Sequence, residues 1–295
     1  MSSDDRQVVA SQGETSDPPR QSKRYHLMAI VEYDGTEYLG FQIQGPAVAG
    51  RDPTAAEHRF APARQTPAST KRCGGRTIQG ELERALAEVT QRTTRVVGAG
   101  RTDAGVHAKG QVVHFDAVWA HPLPDLQRAL NAVLPLDIAI RELREAAPGF
   151  HARYSARSRE YVYTIYNGPV RSPLALRYAY HCAKPLDERA MDRACAGLIG
   201  THDFMPFGWP PRGEGGTVRT VQRAVCRRAG EFVYVEIEAD AFLRSMVRRI
   251  VGNLLLVGLG ELSVEDFVGL LSLKHRRTPA VGVPAHGLTL VRVNY

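Results

Sequence analysis

The sequence predicts an α+β protein built from two similar units with mostly antiparallel sheets. Three observations carry this reading. Apolar residues alternate with period two in several short segments and recur at helical spacing in others. Strand-like segments stand at the edges of each half, and helical ones lie between them. At 295 residues the chain is long enough for one large or two medium hydrophobic cores.

Residues 1–23 are polar and hold almost no large apolar groups. Burial cannot offset their ordering entropy, so they read as a disordered tail. The first unit spans 24–150. It opens at Tyr25 with the largely apolar strand H-L-M-A-I-V-E-Y, which Tyr33-Asp-Gly closes with a turn. Residues 45–75 are rich in Ala, Pro, Gly, Thr and Arg and lack sustained periodicity. They read as a long mobile loop inserted into the unit, with a short helix at Thr54–Arg59 as the alternative. Ile78, Leu82, Ala85, Leu86 and Val89 share one face at helical spacing, so 78–90 is an amphipathic helix. Thr94–Val97 and Gln111–Phe115 read as short strands, Pro124–Val133 as a helix and Asp137–Leu143 as a strand.

The second unit spans 151–295. Arg159–Tyr166 alternates strictly and places Tyr161, Tyr163 and Ile165 on one face. Asp187–Ile199 reads as a helix. Val218–Arg227 and Phe232–Ala239 read as strands joined by a hairpin at Gly230. Residues 244–258 form an apolar helix, Val264–Leu271 a short one, and Leu288–Val293 a closing strand.

Lys and Arg total 38 against 31 Asp and Glu, a formal charge of +7. This admits a polyanionic partner such as nucleic acid without requiring one. Cys73, Cys182, Cys195 and Cys226 show no C-x-x-C spacing, so neither a zinc site nor a redox motif is indicated. The sequence contains no apolar run long enough for a membrane span. The N-terminal residues lack the apolar stretch of a signal peptide, so a cytoplasmic location is expected.

The segment G-A-G-R-T-D-A-G-V-H-A (98–108) concentrates the chemistry. It follows a strand and nearly matches the dinucleotide fingerprint. However, Asp103 stands where that fingerprint needs glycine, and a strand rather than a long helix follows. The P-loop pattern fails because no Lys-Ser or Lys-Thr follows the second glycine. Asp103 and His107 would share a helix face as metal ligands, but Gly105 and Gly110 disfavour a helix. What remains is a loop presenting one carboxylate, with Arg101 two residues before it. A nearby cation keeps an acid ionised, and a fixed carboxylate serves as nucleophile or base. On residue types alone a turn-capping role for Asp103 is the commoner one.

The string R-T-D-A-G-V-H-A (101–108) resembles the catalytic motif of the TruA-type tRNA pseudouridine synthases. Five further blocks resemble that family in the same order: Y-D-G-T-x-Y-x-G-F-Q (33–42), R-T-I-Q-G-E-L-E (76–83), R-x-Y-V-Y-T-I-Y-N (159–167), A-F-L-R-S-M-V-R-R-I-V-G (241–252) and G-L-T-L (287–290). The resemblance implies conversion of uridine to pseudouridine at tRNA positions 38, 39 and 40, in the anticodon stem-loop, with no cofactor and no metal. It implies a homodimer whose two ferredoxin-like units form a continuous sheet, with helices on one face, flanking a basic cleft. It places the nucleophile at Asp103 and substrate contacts at Tyr161 and Arg248, while Arg101 is positioned to fill the gap left by the target base or to hold a phosphate.

These residue types suit the reaction. An aromatic face retains a detached base by stacking, worth roughly 1–3 kcal/mol, and the Tyr161 hydroxyl is a candidate for removing the final proton. Arg244, Arg248 and Arg249 crowd the start of an apolar helix and oppose its dipole. Asp103 or an RNA phosphate would offset Arg248, whereas Arg249 reads as a surface residue. Tyr163 and Tyr166 read as packing residues, and His107 and His114 as hydrogen-bonding ones.

Two departures from the family stand out. Ser245 replaces the usual His, which bears on local helix contacts, and the 45–75 insertion is long. Arg51, Arg59, Arg64, Lys71 and Arg72 within that insertion would add non-specific RNA affinity. Two rival functions stay in view. An inert RNA-binding protein on the same scaffold would have no need of Asp103. A metal-dependent hydrolase using Asp103 and His107 would lose activity in chelator.

Overall fold

The computed structural model describes residues 22–43, 60, 75–208, 216–272 and 281–295. The elements run β1 (Lys23–Tyr33), α1 (Ile78–Thr90), β2 (Val97–Gly98), β3 (His107–Trp119), α2 (Leu123–Val133), β4 (Ile138–Glu145), β5 (Ser158–Tyr166), β6 (Tyr180–His181), α3 (Glu188–Ala196), β7 (Gly200–Asp203), β8 (Val218–Ala229), β9 (Phe232–Ala239), α4 (Met246–Gly258), α5 (Val264–Gly269) and β10 (Leu288–Asn294). The strands form one 10-stranded sheet ordered β4-β1-β3-β10-β5-β9-β8-β7, with β2 beside β3 and β6 beside β5. Pairing is antiparallel except for β10 with β3 and β5 with β6. The chain is thus α+β with a mixed, mostly antiparallel sheet.

Both halves thread the sheet in the same way. The first gives β4-β1-β3-β2 and the second β10-β5-β9-β8 with β7 outside. Each half supplies two helices in equivalent places, α1 and α2 in the first, α3 and α4 in the second. The halves meet where Thr289 and Leu290 pair with His107 and Ala108. That short parallel contact makes the sheet continuous, and it lies at the start of β3, beside the segment that carries Asp103.

Local sequence accounts for most elements. Thr77 caps α1 by accepting from the Gly80 amide, and Ile78, Leu82, Ala85 and Leu86 on its inner face are buried. They share a core with Leu126 and Leu130 of α2 and with Val113, Phe115 and Ile140 of the sheet. The α4 helix is apolar on nearly all sides because it is buried on nearly all sides. Ile250, Val251, Leu254 and Leu255 are each 0% exposed, contributing about 1.5–3 kcal/mol apiece. Gly230, at φ 59°, turns the β8–β9 hairpin.

Several boundaries differ from the sequence reading. Lys23, expected in the tail over 1–23, belongs to β1 and pairs with Trp119; residues 1–21 lie outside the described residues. The β3 strand begins at His107, not Gln111, because pairing with β1 and β10 holds a stretch whose side chains do not alternate. Of the expected 94–97 strand only Val97 is paired, and the pairing runs on to Gly98; the short strands β6 and β7 gave no periodic signal. The α3 helix ends at Ala196, ahead of Gly197, and α4 starts at Met246 rather than 244.

Most of the 45–75 insertion, with Arg51, Arg59, Arg64, Lys71 and Arg72, lies outside the described residues. Phe60 within it is partly buried and sets its ring edge-on to Tyr180 at 6.0 Å, an anchored point in a stretch expected to be mobile. Cys182, Cys195 and Cys226 are free and buried, as small apolar residues are. No helix of the described residues is long and apolar enough to cross a membrane.

Candidate active site

Asp103 sits in the loop between β2 and β3, and the loop is held from several sides. The Ala99 amide donates to the Val112 carbonyl at 2.8 Å, and the Gln111 side-chain amide donates to the Gly100 carbonyl at 2.9 Å. The Phe41 amide donates to the Thr102 carbonyl at 3.1 Å, while the Thr102 hydroxyl meets the Tyr33 hydroxyl at 2.8 Å. Burial pushes the Tyr33 phenol up to about 12, so it stays protonated and able to donate.

Two glycines of the 33–42 block explain how that segment approaches the loop. A Cβ on Gly35 would lie 2.0 Å from the Val106 carbonyl oxygen. Gly40, at φ +101°, would place one 2.5 Å from the Thr102 carbonyl oxygen.

The backbone of Asp103 does open a turn, since the Val106 amide donates to its carbonyl at 3.2 Å and Gly105 takes φ +77°. Its carboxylate, however, caps no backbone amide among the described residues. It faces α4 instead: Oδ2 accepts from the Ser245 hydroxyl at 3.2 Å and from Arg248 Nη1 at 3.4 Å. The Asp103 side chain keeps 31% of its surface exposed, whereas that of Arg248 keeps 11%. Arg248 is itself fixed, because its Nε donates to the Val283 carbonyl at 2.8 Å. Of the two anions that could offset Arg248, the chain supplies Asp103 directly.

Tyr161 joins this group. It lies on β5 between Ile237 of β9 and Leu290 of β10, is 8% exposed, and sets its ring edge-on to Phe242 at 5.0 Å. Burial, and then the nearby Tyr33 and Asp103, push its phenol well above the ordinary tyrosine value. The hydroxyl is therefore protonated at neutral pH. Arg101 is not part of the cluster. It is exposed, and its side chain has no hydrogen bond or ion pair among the described residues. The cation beside Asp103 is Arg248, from the other half of the chain.

Neighbouring side chains take structural roles. Tyr163 is fully buried and donates to the Pro284 carbonyl, and Tyr166 donates to Glu231. His107 accepts from the Gly35 amide at Nδ1 and meets the His286 carbonyl at Nε2, 3.1 Å each. Burial lowers its pKa, so the ring is neutral and both nitrogens are occupied. Its 3.1 Å approach to Asp34 is then a contact and not an ion pair. Asp34 is partly desolvated, but bonds from Thr36, Arg177 and Tyr178 outweigh burial and bring its carboxyl to about 2. His114 accepts from the Ala152 amide. Arg249, expected at the surface, is buried at 6% exposure, since the helix turns it inward. Among the described residues no three His, Cys, Asp or Glu side chains gather as metal ligands do.

Two site residues escaped the sequence reading. Ser245 registered only as a departure in the helix, yet it touches the Asp103 carboxylate. Arg159 opens the 159–167 block, where its residue type alone suggests no role. It is 8% exposed, and its Nη2 donates to the Ala99 carbonyl at 3.0 Å, at the base of the loop that carries Asp103.

Comparison with known proteins identifies the family. The sequence profile described as tRNA pseudouridine synthase matches residues 29–155 and 194–295. A tRNA pseudouridine synthase A of Chloroflexus aurantiacus is 45% identical over 276 residues, covering 91% of this chain and 88% of the relative. That of Roseiflexus castenholzii is 41% identical over 269 residues, covering 90% and 88%. That of Moorella thermoacetica is 40% identical over 272 residues, covering 91% and 99%. With matches of this extent on both sides of Asp103, the chain belongs to the tRNA pseudouridine synthase family, whose members are isomerases.

Proposed function

We propose that the protein isomerises uridine at positions 38, 39 and 40 in the anticodon stem-loop of tRNA, with Asp103 as the reacting carboxylate. The observation that carries this reading is the convergence of Asp103, Arg248 and Tyr161 from three distant segments onto one partly open site. In the reaction the bond from the sugar to N1 breaks and a bond from the sugar to C5 forms. A proton leaves C5 and one is gained at N1, so nothing is oxidised or hydrolysed. Asp103 assists by attacking the sugar or by taking a proton from it. Arg248 holds the carboxylate, and the Tyr161 ring offers a face for the detached base. Its protonated hydroxyl makes Tyr161 a better donor than a standing base; removal of the C5 proton through it needs an acceptor for its own proton. Arg101, exposed and without a partner among the described residues, is free to meet a phosphate or the space left when the uridine leaves its stack.

The same reading divides the chain near residue 150 into two ferredoxin-like units, which the matching strand orders of the halves support. It includes a cytoplasmic homodimer working without metal or cofactor. Incubating the purified protein with unmodified tRNA and mapping pseudouridine by position tests the assignment. Product at 38, 39 or 40 is expected, and product elsewhere in the tRNA would overturn the positional claim.

A further inference from the structure

We infer that Ser245 is a positioning residue that fixes which oxygen of Asp103 meets the substrate. This rests on the reading of Asp103 as the reacting carboxylate and deepens it. Both side-chain contacts that the described residues make to this carboxylate fall on Oδ2, from the Ser245 hydroxyl at 3.2 Å and from Arg248 at 3.4 Å. Together they hold one oxygen in place and leave Oδ1 to face the target nucleoside.

The conformation of Ser245 fits this duty. It occupies the residue before α4, where a serine ordinarily takes extended backbone and accepts from an amide of the first turn. Here it makes no such bond. Its backbone sits instead at φ 59°, ψ 10°, a left-handed conformation that non-glycine residues rarely adopt. Among the described residues only Gln91 shares a positive φ without being glycine. The strain directs a hydroxyl at Asp103 in place of a helix cap, and strain of this kind persists where the surroundings enforce it. Arg248 follows within the first turn of the same helix, so one helix start delivers both donors. Ser245 orients the oxygen by a short neutral donor, and Arg248 balances its charge.

The test uses Ser245→Gly and Ser245→Asn in the full-length protein. Glycine removes the hydroxyl and relieves the backbone. Asparagine tolerates the left-handed conformation and supplies an N–H donor in its place. We measure single-turnover pseudouridine formation, the tRNA Kd and the thermal midpoint. Ser245→Gly should slow the chemical step about tenfold, the effect of one lost hydrogen bond to a charged group, with Kd unchanged and the midpoint preserved. Ser245→Asn should recover most of the rate. A wild-type rate in Ser245→Gly, or an Asn variant as slow as the Gly variant, would overturn the inference. Asp103→Asn, run in parallel, separates the two readings. If it forms product, the role of Asp103 fails; if it is inactive while Ser245→Gly is not impaired, only the role of Ser245 fails.

Discussion

Replacing Arg159 with methionine should destabilise the protein and slow catalysis together. Among the described residues the guanidinium is buried without a carboxylate partner and is satisfied by carbonyls alone. Nη1 donates to Asp240 at 2.7 Å and to Ala156 at 3.4 Å, and Nη2 to Ala99 at 3.0 Å and Arg153 at 2.7 Å. Methionine fills the volume of the stem but donates nothing. Three well-formed bonds vanish, and each buried carbonyl left without a donor costs about 1 kcal/mol at the low end. Removing the desolvated charge gives part of this back, so a net loss of about 1–3 kcal/mol follows, or a midpoint lower by about 2–10 °C. Urea denaturation at neutral pH measures the loss. Single-turnover kinetics, at a temperature where the variant is fully folded, should still show a slower step, because Ala99 anchors the loop that carries Asp103. A variant within about 0.5 kcal/mol of the wild type, with an unchanged rate, would refute the idea that this carbonyl cluster holds the loop.

Gly40→Ala forces a left-handed residue to carry a Cβ 2.5 Å from the Thr102 carbonyl oxygen. It should cost about 2 kcal/mol or more in urea denaturation and reduce kcat more than it raises KM. Asp34 has a carboxyl held at about 2, below its ordinary 3.8, so its stabilising contribution is present above about pH 4 and is lost as pH falls toward about 2. The difference in thermal midpoint between the wild type and Asp34→Asn should therefore be full at pH 6 and shrink steadily below pH 4; a difference that does not change with pH would contradict that origin.

Much of this was legible in the sequence, for reasons that particular residues make plain. The α1 helix announced itself because Ile78, Leu82, Ala85 and Leu86 repeat at the spacing of a buried helix face. The β5 strand did so because Tyr161, Tyr163 and Ile165 alternate with more exposed neighbours. What periodicity cannot report is partnership over distance. The first residues of β3 have no alternating pattern and are strand because β1 and β10 come to pair with them. Ser245 lies 142 residues from Asp103, and nothing in its own surroundings signals the contact. Arg101 was the arginine nearest Asp103 in sequence, while Arg248, 145 residues away, is the one nearest it in space. Proximity in sequence misled because a loop fixes its backbone, whereas the charge partner comes from packing.

The role of Asp103 is tested most directly by Asp103→Asn. The substitution keeps the shape of the side chain and its bond from Ser245 but removes the charge opposite Arg248. Pseudouridine formation under single-turnover conditions, with the enzyme in excess over tRNA, isolates the chemical step. The variant should fold, bind tRNA within about threefold of the wild type and form no pseudouridine. Product at the wild-type rate from that variant would contradict that role.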